Sequence, residues 1–204
     1  MFEILTGAGL ATAAGLNAYI PLLALGLLSR FTDLVNLPSG WSWLENTWVL
    51  VILAVLLVLE IVADKIPAVD TVNDWIQTIV RPAAGGIVFG SGSASETATV
   101  TDPAAFFSSN QWVPIAIGIV LALVVHITKT TARPAANVAT LGLAAPVLST
   151  AEDVASVGLS IAALLLPILV LLLLAGLVVG LVALVRRTRR GRRAAEPVPP
   201  VPAP

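Results

Sequence analysis

The chain has no cysteine, which excludes disulfides, thiolate nucleophiles and cysteine-held metals. It has one histidine, His126, too few for a histidine metal cluster. Charge is scarce too: 11% of the 204 residues are charged, against roughly 25% in a soluble domain whose surface must face water. Most of this surface is expected to face lipid instead. Met1-Phe2-Glu3 brings no basic run, so a cleaved signal peptide is not expected. There is no Ser/His/Asp set, no HExxH and no Asp-rich metal motif within an apolar run. Neither an enzyme nor a bound cofactor is expected. Gly7-Ala8-Gly9 is no nucleotide loop, since no strand precedes it and no Lys-Ser/Thr follows.

What is abundant is apolar sequence, 57% of residues with a mean hydropathy of +0.96. The fold class expected is all-α, a polytopic helical membrane protein with about six membrane segments, some short and broken by Pro or Gly. Ile4–Leu28 can span a bilayer, and its Gly7, Gly9, Gly15, Pro21 and Gly26 predict a kinked or closely packed helix. A polar loop over 30–47 follows, and Trp48–Ala63 is a second span. In Pro67–Val80, Val69, Val72, Ile76, Ile79 and Val80 recur at helical spacing, opposite Asp70, Asn73, Asp74 and Gln77. This predicts an amphipathic helix on the membrane surface, N-capped by Asp70. Arg81-Pro82 opens a short apolar piece, Ala83–Gly90. Trp112–Thr128 is a span, and Arg133-Pro134 opens another short one, Ala135–Ser149. Val154–Val185 is the longest apolar run, and a break is expected near Pro167. Residues 1–193 read as one transmembrane domain. Residues 194–204, with five prolines in eleven positions, read as a disordered tail.

Six crossings with both ends inside put Lys65, Arg81, Lys129, Arg133 and the six arginines of Arg186–Arg193 in the cytoplasm and leave only Arg30 outside. Trp41, Trp43, Trp48 and Trp112 then form an outer aromatic belt. Trp48 to Gly85 and Trp112 to Asn137 resemble each other: an outer Trp, an apolar span, inner charges, Arg-Pro-Ala-Ala and a short helix. Internal repeats are common in transporter folds, with the working site at the repeat interface.

Each polar residue admits a functional and a plainer reading. Glu60 and Asp64 share a helix face at i, i+4. A carboxylate at depth is costly and suits a proton or cation relay, with His126 at similar depth as a partner. The plainer reading is pairing near the headgroups. Asp64, Lys65, Asp70, Asp74 and Arg81 crowd one segment, either a charged vestibule or divalent-cation site, or a solvated helix face. Arg81 and Arg133 each precede a Pro-led helix and can clamp a phosphate, or simply anchor the inner side. Asn17 either marks a broken helix with a free carbonyl or hydrogen-bonds a neighbouring helix. Together Asn17, Glu60, Asp64, Arg81, His126 and Arg133 are expected to line one polar cavity open to the cytoplasm. Arg186–Arg193 is expected to meet anionic lipid headgroups rather than nucleic acid.

Gly9-Leu10, Gly15-Leu16-Asn17-Ala18-Tyr19-Ile20-Pro21-Leu22-Leu23, Asp64-Lys65-Ile66-Pro67-Ala68-Val69-Asp70 with Asp74, and Arg81-Pro82-Ala83-Ala84-Gly85 carry a resemblance. More loosely, so do Lys129, Arg133 and Asn137. Over most of residues 5–155 the chain resembles a family of bacterial multi-pass membrane proteins, the domain of unknown function 4126. The Ser/Thr-rich stretch after Gly90 departs from that family's pattern, where a fuller apolar helix is expected. The resemblance implies a helical protein of the bacterial cytoplasmic membrane and no particular activity.

Two functions suit the sequence: a small transporter or permease for an ion, an anionic solute or a lipid headgroup, and a non-catalytic scaffold or partner subunit. The lipid bilayer is the expected partner, and small-residue surfaces also suit a homo-oligomer. The topology can be tested on the cysteine-free chain. Single cysteines at Ser93 and Ser149 are expected to react with an impermeant reagent from outside, and one at Arg189 is not.

Overall fold

The computed structural model describes residues 2–92, 112–140, 144–166 and 168–170, together with positions 172, 175, 176 and 179. The element order is α1 (Phe2–Leu16), α2 (Tyr19–Phe31), a short 3-10 helix (Ser39–Glu45), α3 (Thr47–Ala63), α4 (Pro67–Gly92), α5 (Trp112–Ala139) and α6 (Ala144–Leu165). Among the described residues there is no strand. Residues 112–134 of α5 and the whole of α6 are long and apolar enough to cross a membrane. A third such span exists if the 3-10 helix and α3, meeting at a 63° bend, count as one.

The first apolar run is two helices rather than one. α1 stops at Leu16 and α2 starts at Tyr19. At 1.5 Å per residue each is only about 20 Å long, and they double back. Gly7 of α1 lies against Phe89 of α4, while Gly15 lies against Ala122 and Val125 of α5. Gly26 of α2 packs on Leu44 and Leu50, at the start of α3. The two outer ends therefore sit beside the tryptophan-bearing segment, and the elbow at Asn17 sits at the opposite end of the bundle. The same contacts give every other direction: α3 and α5 run toward the elbow end, α4 and α6 away from it.

α1 is the central helix. From Gly9 to Gly15 every residue is buried, as expected of a helix apolar on all sides. Small residues let its neighbours approach. A Cβ on Gly9 would stand 2.7 Å from Ala163, and one on Gly15 would stand 2.7 Å from the Ala122 carbonyl. α4 and α5 close together the same way, Gly118 against the Gly85 backbone. The small residues that suited partner chains are thus largely used inside this one, although Gly158 faces open space.

Three expectations change. Pro82 and Pro134 do not open new helices but lie inside α4 and α5. The surface helix expected over Pro67–Val80 is therefore the first half of a 26-residue helix. Its faces also point the opposite way to those of a soluble protein. Gln77 and Arg81 are 2% and 0% exposed, while Trp75 and Ile79 are 78% and 76% exposed. Finally, Ala135–Ser149 is not one helix. α5 ends at Ala139, α6 begins at Ala144, and Ser149 is buried one turn before Glu152 at the elbow end. A cysteine there is expected to be shielded from the reagent by this burial. The expected break near Pro167 is present: Leu166 is not helical, and Ala163 and Val170 both reach the position of a Gly9 Cβ. Ser93, the Arg186–Arg193 cluster and the tail over 194–204 lie outside the described residues.

Gly118 and Gly158 make a paired test. In Gly118→Val the new side chain meets the Gly85 carbonyl oxygen 2.2 Å away, and backbone cannot yield cheaply. Loss of the folded, monodisperse species in detergent is expected. Gly158→Ala meets nothing and should hold or raise the melting temperature, by up to about 1 kcal/mol of helix propensity. The reverse order would show that the α4–α5 contact is wrong.

Candidate functional site

A helix that ends inside a bundle leaves its last carbonyls and the next helix's first N–H groups without partners. The elbow at Asn17 meets both needs. Asn17 Oδ1 accepts from the backbone N–H of Tyr19 at 3.1 Å and of Ile20 at 3.3 Å, so its side chain caps α2. Its Nδ2 donates to Asp153 Oδ1 at 2.9 Å. The Gly15 carbonyl accepts from Arg81 Nη1 and the Leu16 carbonyl from Lys129 Nζ, each at 3.4 Å. Two cations thus stand at the negative end of the α1 dipole, where positive charge is favoured.

Those cations draw carboxylates. Arg81 Nη2 donates to Glu60 Oε1 at 2.8 Å and lies 3.6 Å from Asp64 Oδ2. Lys129 Nζ reaches Asp64 Oδ2 at 3.1 Å and Glu152 Oε2 at 3.0 Å. Arg133 is held by Asp70, by both oxygens of Glu152 and, at 3.5 Å, by Asp64. Asn73 Nδ2 donates to Asp64 Oδ1 at 2.7 Å. The expected set Asn17, Glu60, Asp64, Arg81, His126 and Arg133 thus lies in one buried layer. Asp70 belongs to it as well. Lys65 sits at its edge, its side chain 37% exposed and 4.0 Å from Asp153. Asp74 is half-buried, and its Oδ1 has no hydrogen-bond partner among the described protein atoms.

His126 is not paired with Glu60, because Arg81 stands between them. Arg81 Nη1 is 3.4 Å from His126 Nδ1. An arginine can only donate, so Nδ1 accepts and the ring proton sits on Nε2. Nε2 is 3.0 Å from Thr78 Oγ1, whose hydroxyl donates to the Asp74 carbonyl. The ring is a neutral link in this chain rather than the proton partner of a carboxylate.

The arrangement also bears on two other expectations. The arginines expected to clamp a phosphate are each engaged by carboxylates of the protein itself. The carbonyl expected to be freed is that of Asn17, whereas the carbonyls that meet cations are those of Gly15 and Leu16, held by Arg81 and Lys129. Among the described residues, no group of three or more His, Cys, Asp or Glu side chains is arranged to hold a metal ion. Glu152, Asp153 and Thr78 were missed from the sequence. Glu152 and Asp153 are the only acidic residues in the apolar sequence from Ala135 to Val185, and isolation of that kind is the signal that would have found them.

The sequence profile of the domain of unknown function DUF4126 matches residues 4–187. The chain belongs to that family. No curated protein and no solved structure matches it. In this DUF4126 chain, the residues that carried the resemblance include Asn17 of the elbow and Asp64, Asp70 and Arg81 of the ionic layer.

Asp64 is the hub. Burial works against its charged form, but Lys129, Arg81, Arg133 and the Asn73 amide together hold its carboxyl below the usual aspartate range. A group whose folded pKa is depressed contributes stability that is present above its unfolded value, near 4, and is lost as pH falls through the folded value. Melting temperature in detergent should therefore drop as pH falls below about 4, and Asp64→Asn should flatten that drop. Arg133→Ala strands Asp70 and Glu152 without their main cation and should cost about 3–5 kcal/mol. Adding Asp70→Asn should restore part of the loss. An unchanged melt for Arg133→Ala would mean that these contacts do not hold the bundle.

Proposed function

We propose that this chain is a multi-pass membrane protein of the small-transporter class, and that it moves protons or another small cation rather than an anion. The membrane reading draws on the reversed polarity of the helices. On α3, Val51, Val55, Val58 and Val62 face outward and Glu60 is buried. In water that arrangement wastes apolar burial; in a bilayer it is the favourable one. The elbow end carries Lys65, Arg81, Lys129 and Arg133, and the opposite end carries Arg30 beside Glu45, so the elbow end is the cytoplasmic one under the positive-inside rule.

The observation that carries the transport reading is the composition of the ionic layer. Six carboxylates, of Glu60, Asp64, Asp70, Asp74, Glu152 and Asp153, meet four cations, of Lys65, Arg81, Lys129 and Arg133. Excess negative charge in a poorly solvated place is relieved by taking up protons or small cations. The same layer offers an anion little, since its arginines already face carboxylates. One observation favours the scaffold reading: Arg133 is clamped by three carboxylates, the pattern of a structural lock.

The test is flux. The full chain reconstituted into vesicles with a trapped pH-sensitive dye is expected to collapse an imposed pH gradient at least about tenfold faster than protein-free vesicles, a barrier change of roughly 1.4 kcal/mol. Asp64→Asn or Glu60→Gln should bring the rate back toward the protein-free value. Rates equal to protein-free vesicles, with sodium and potassium gradients equally unaffected, would sink the transport reading and leave the scaffold.

A further inference from the structure

The ion pair between Arg81 and Glu60 is only half made. Arg81 Nη2 donates to Glu60 Oε1 at 2.8 Å. In a complete guanidinium–carboxylate fork a second bond runs parallel to the first. Here Glu60 Oε2 and Arg81 Nε are both buried and have no hydrogen-bond partner among the described protein atoms. Gln77 Oε1 is a third such atom, one helical turn before Arg81 on the inward face of α4. Glu60 and Gln77 are each 2% exposed and Arg81 is fully buried. Tyr19 of α2 is buried near all three.

One donor and two acceptors are the complement of a single water molecule, which accepts from the first and donates to the others. A metal ion suits the place badly, because the Arg81 guanidinium repels it. We propose that Glu60 is the proton-binding site of the ionic layer, loaded through a water held between Glu60 Oε2, Gln77 Oε1 and Arg81 Nε. This deepens the transport reading and rests on it for its purpose, although the binding itself needs no flux.

The step balances simply. A solvent proton bonds to the bridging water as that water's O–H toward Glu60 Oε2 breaks, an O–H bond forms on the carboxyl, and a neutral water is left in place. Neutral Glu60 no longer holds the guanidinium. Asp64 Oδ2, one turn beyond Glu60 just past the end of α3 and 3.6 Å from the same Nη2, is the alternative partner. Arg81 therefore moves from Glu60 to Asp64 on protonation and back on release. The groups around Glu60 are Arg81 from α4, Tyr19 from α2, Lys129 from α5 and Asp64 just past the end of α3, with Gln77 one turn from Arg81 and His126 beyond it. Of the carboxylates closest to the bundle centre, Asp64 and Asp70 are already engaged by cations. Glu60 alone combines near-complete burial with an unpartnered carboxylate oxygen.

Infrared difference spectra of the full chain, recorded between neutral and acid pH, read the site directly. A protonated-carboxyl band is expected on acidification, and Glu60→Gln should remove it. Asp64→Asn should shift the midpoint of that band to lower pH by about one unit, because it deletes both the alternative partner and a neighbouring negative charge. A band of full amplitude in Glu60→Gln, or a midpoint unmoved or raised in Asp64→Asn, overturns the proposal. If Glu60→Gln does not fold, the Asp64→Asn titration decides. A Glu60 band without vesicle flux leaves the site standing and removes the transport reading. Flux without the band does the opposite.

Discussion

The rest of this structure depends on a helix whose end is buried against its neighbours. The α1 carbonyls at Gly15 and Leu16 and the α2 N–H groups at Tyr19 and Ile20 have no water to turn to, and leaving each unpaired would cost on the order of 1–3 kcal/mol. Asn17 serves the N–H groups, and Arg81 and Lys129 serve the carbonyls. Once two cations are buried there, carboxylates must follow, because an unpaired buried charge costs more than the break itself. Glu60, Asp64 and Glu152 arrive from α3, the α3–α4 connection and α6. Each of those segments is thereby tied to the elbow. The break sets the positions of the charges, and the charges hold the surrounding helices in register.

Close packing is what lets these side chains reach. Gly85 and Gly118 bring the α4 and α5 backbones together, and one level lower Arg81 and His126 stand 3.4 Å apart. A larger residue at either glycine would part the two helices and take the guanidinium away from the ring, so small residues in one layer govern electrostatics in the next. The inward stripe of α5 follows the same logic. Gly118, Ala122 and Val125 fill space near the centre, and His126, Lys129 and Arg133 continue the stripe as the charged layer begins.

Much of this was legible in the sequence, and the failures have physical causes. The helical class, the polar residues that matter and their common depth follow from scarce charge placed at helical spacing, as with Glu60 and Asp64. Gly and Pro are tolerated in membrane helices without ending them, so this segment predicts a kink where the chain makes an elbow. Pro82 and Pro134 were read as helix starts because proline favours the first turn. Inside a helix proline costs about 3 kcal/mol in an exposed setting, yet α4 is packed against α1 and α5 on both sides of Pro82, and continuity wins. Glu152 and Asp153 were passed over because their partners, Lys129, Arg133 and Asn17, lie far away in the chain. Pairing at such separations has no local pattern.

The lock and relay readings need not compete, because they fall on different parts of the same layer. Around Arg133, Asp70 and Glu152 the guanidinium is surrounded by carboxylate oxygens and nothing is left open. A group so held is hard to move, and its loss would uncover several charges at once. Around Arg81 the contacts are sparser: one prong of the fork, a long bond to a carbonyl, a neutral histidine and a second carboxylate just beyond reach. A charge that must change partners needs a nearby alternative and an unfilled bond, and both are present here. Arg133 then fixes α4, α5 and α6 as a frame, and Arg81 is the moving part inside it. The frame makes the movement small, since Glu60 near the end of α3 and Asp64 just past it are one turn apart and Arg81 need only swing between them.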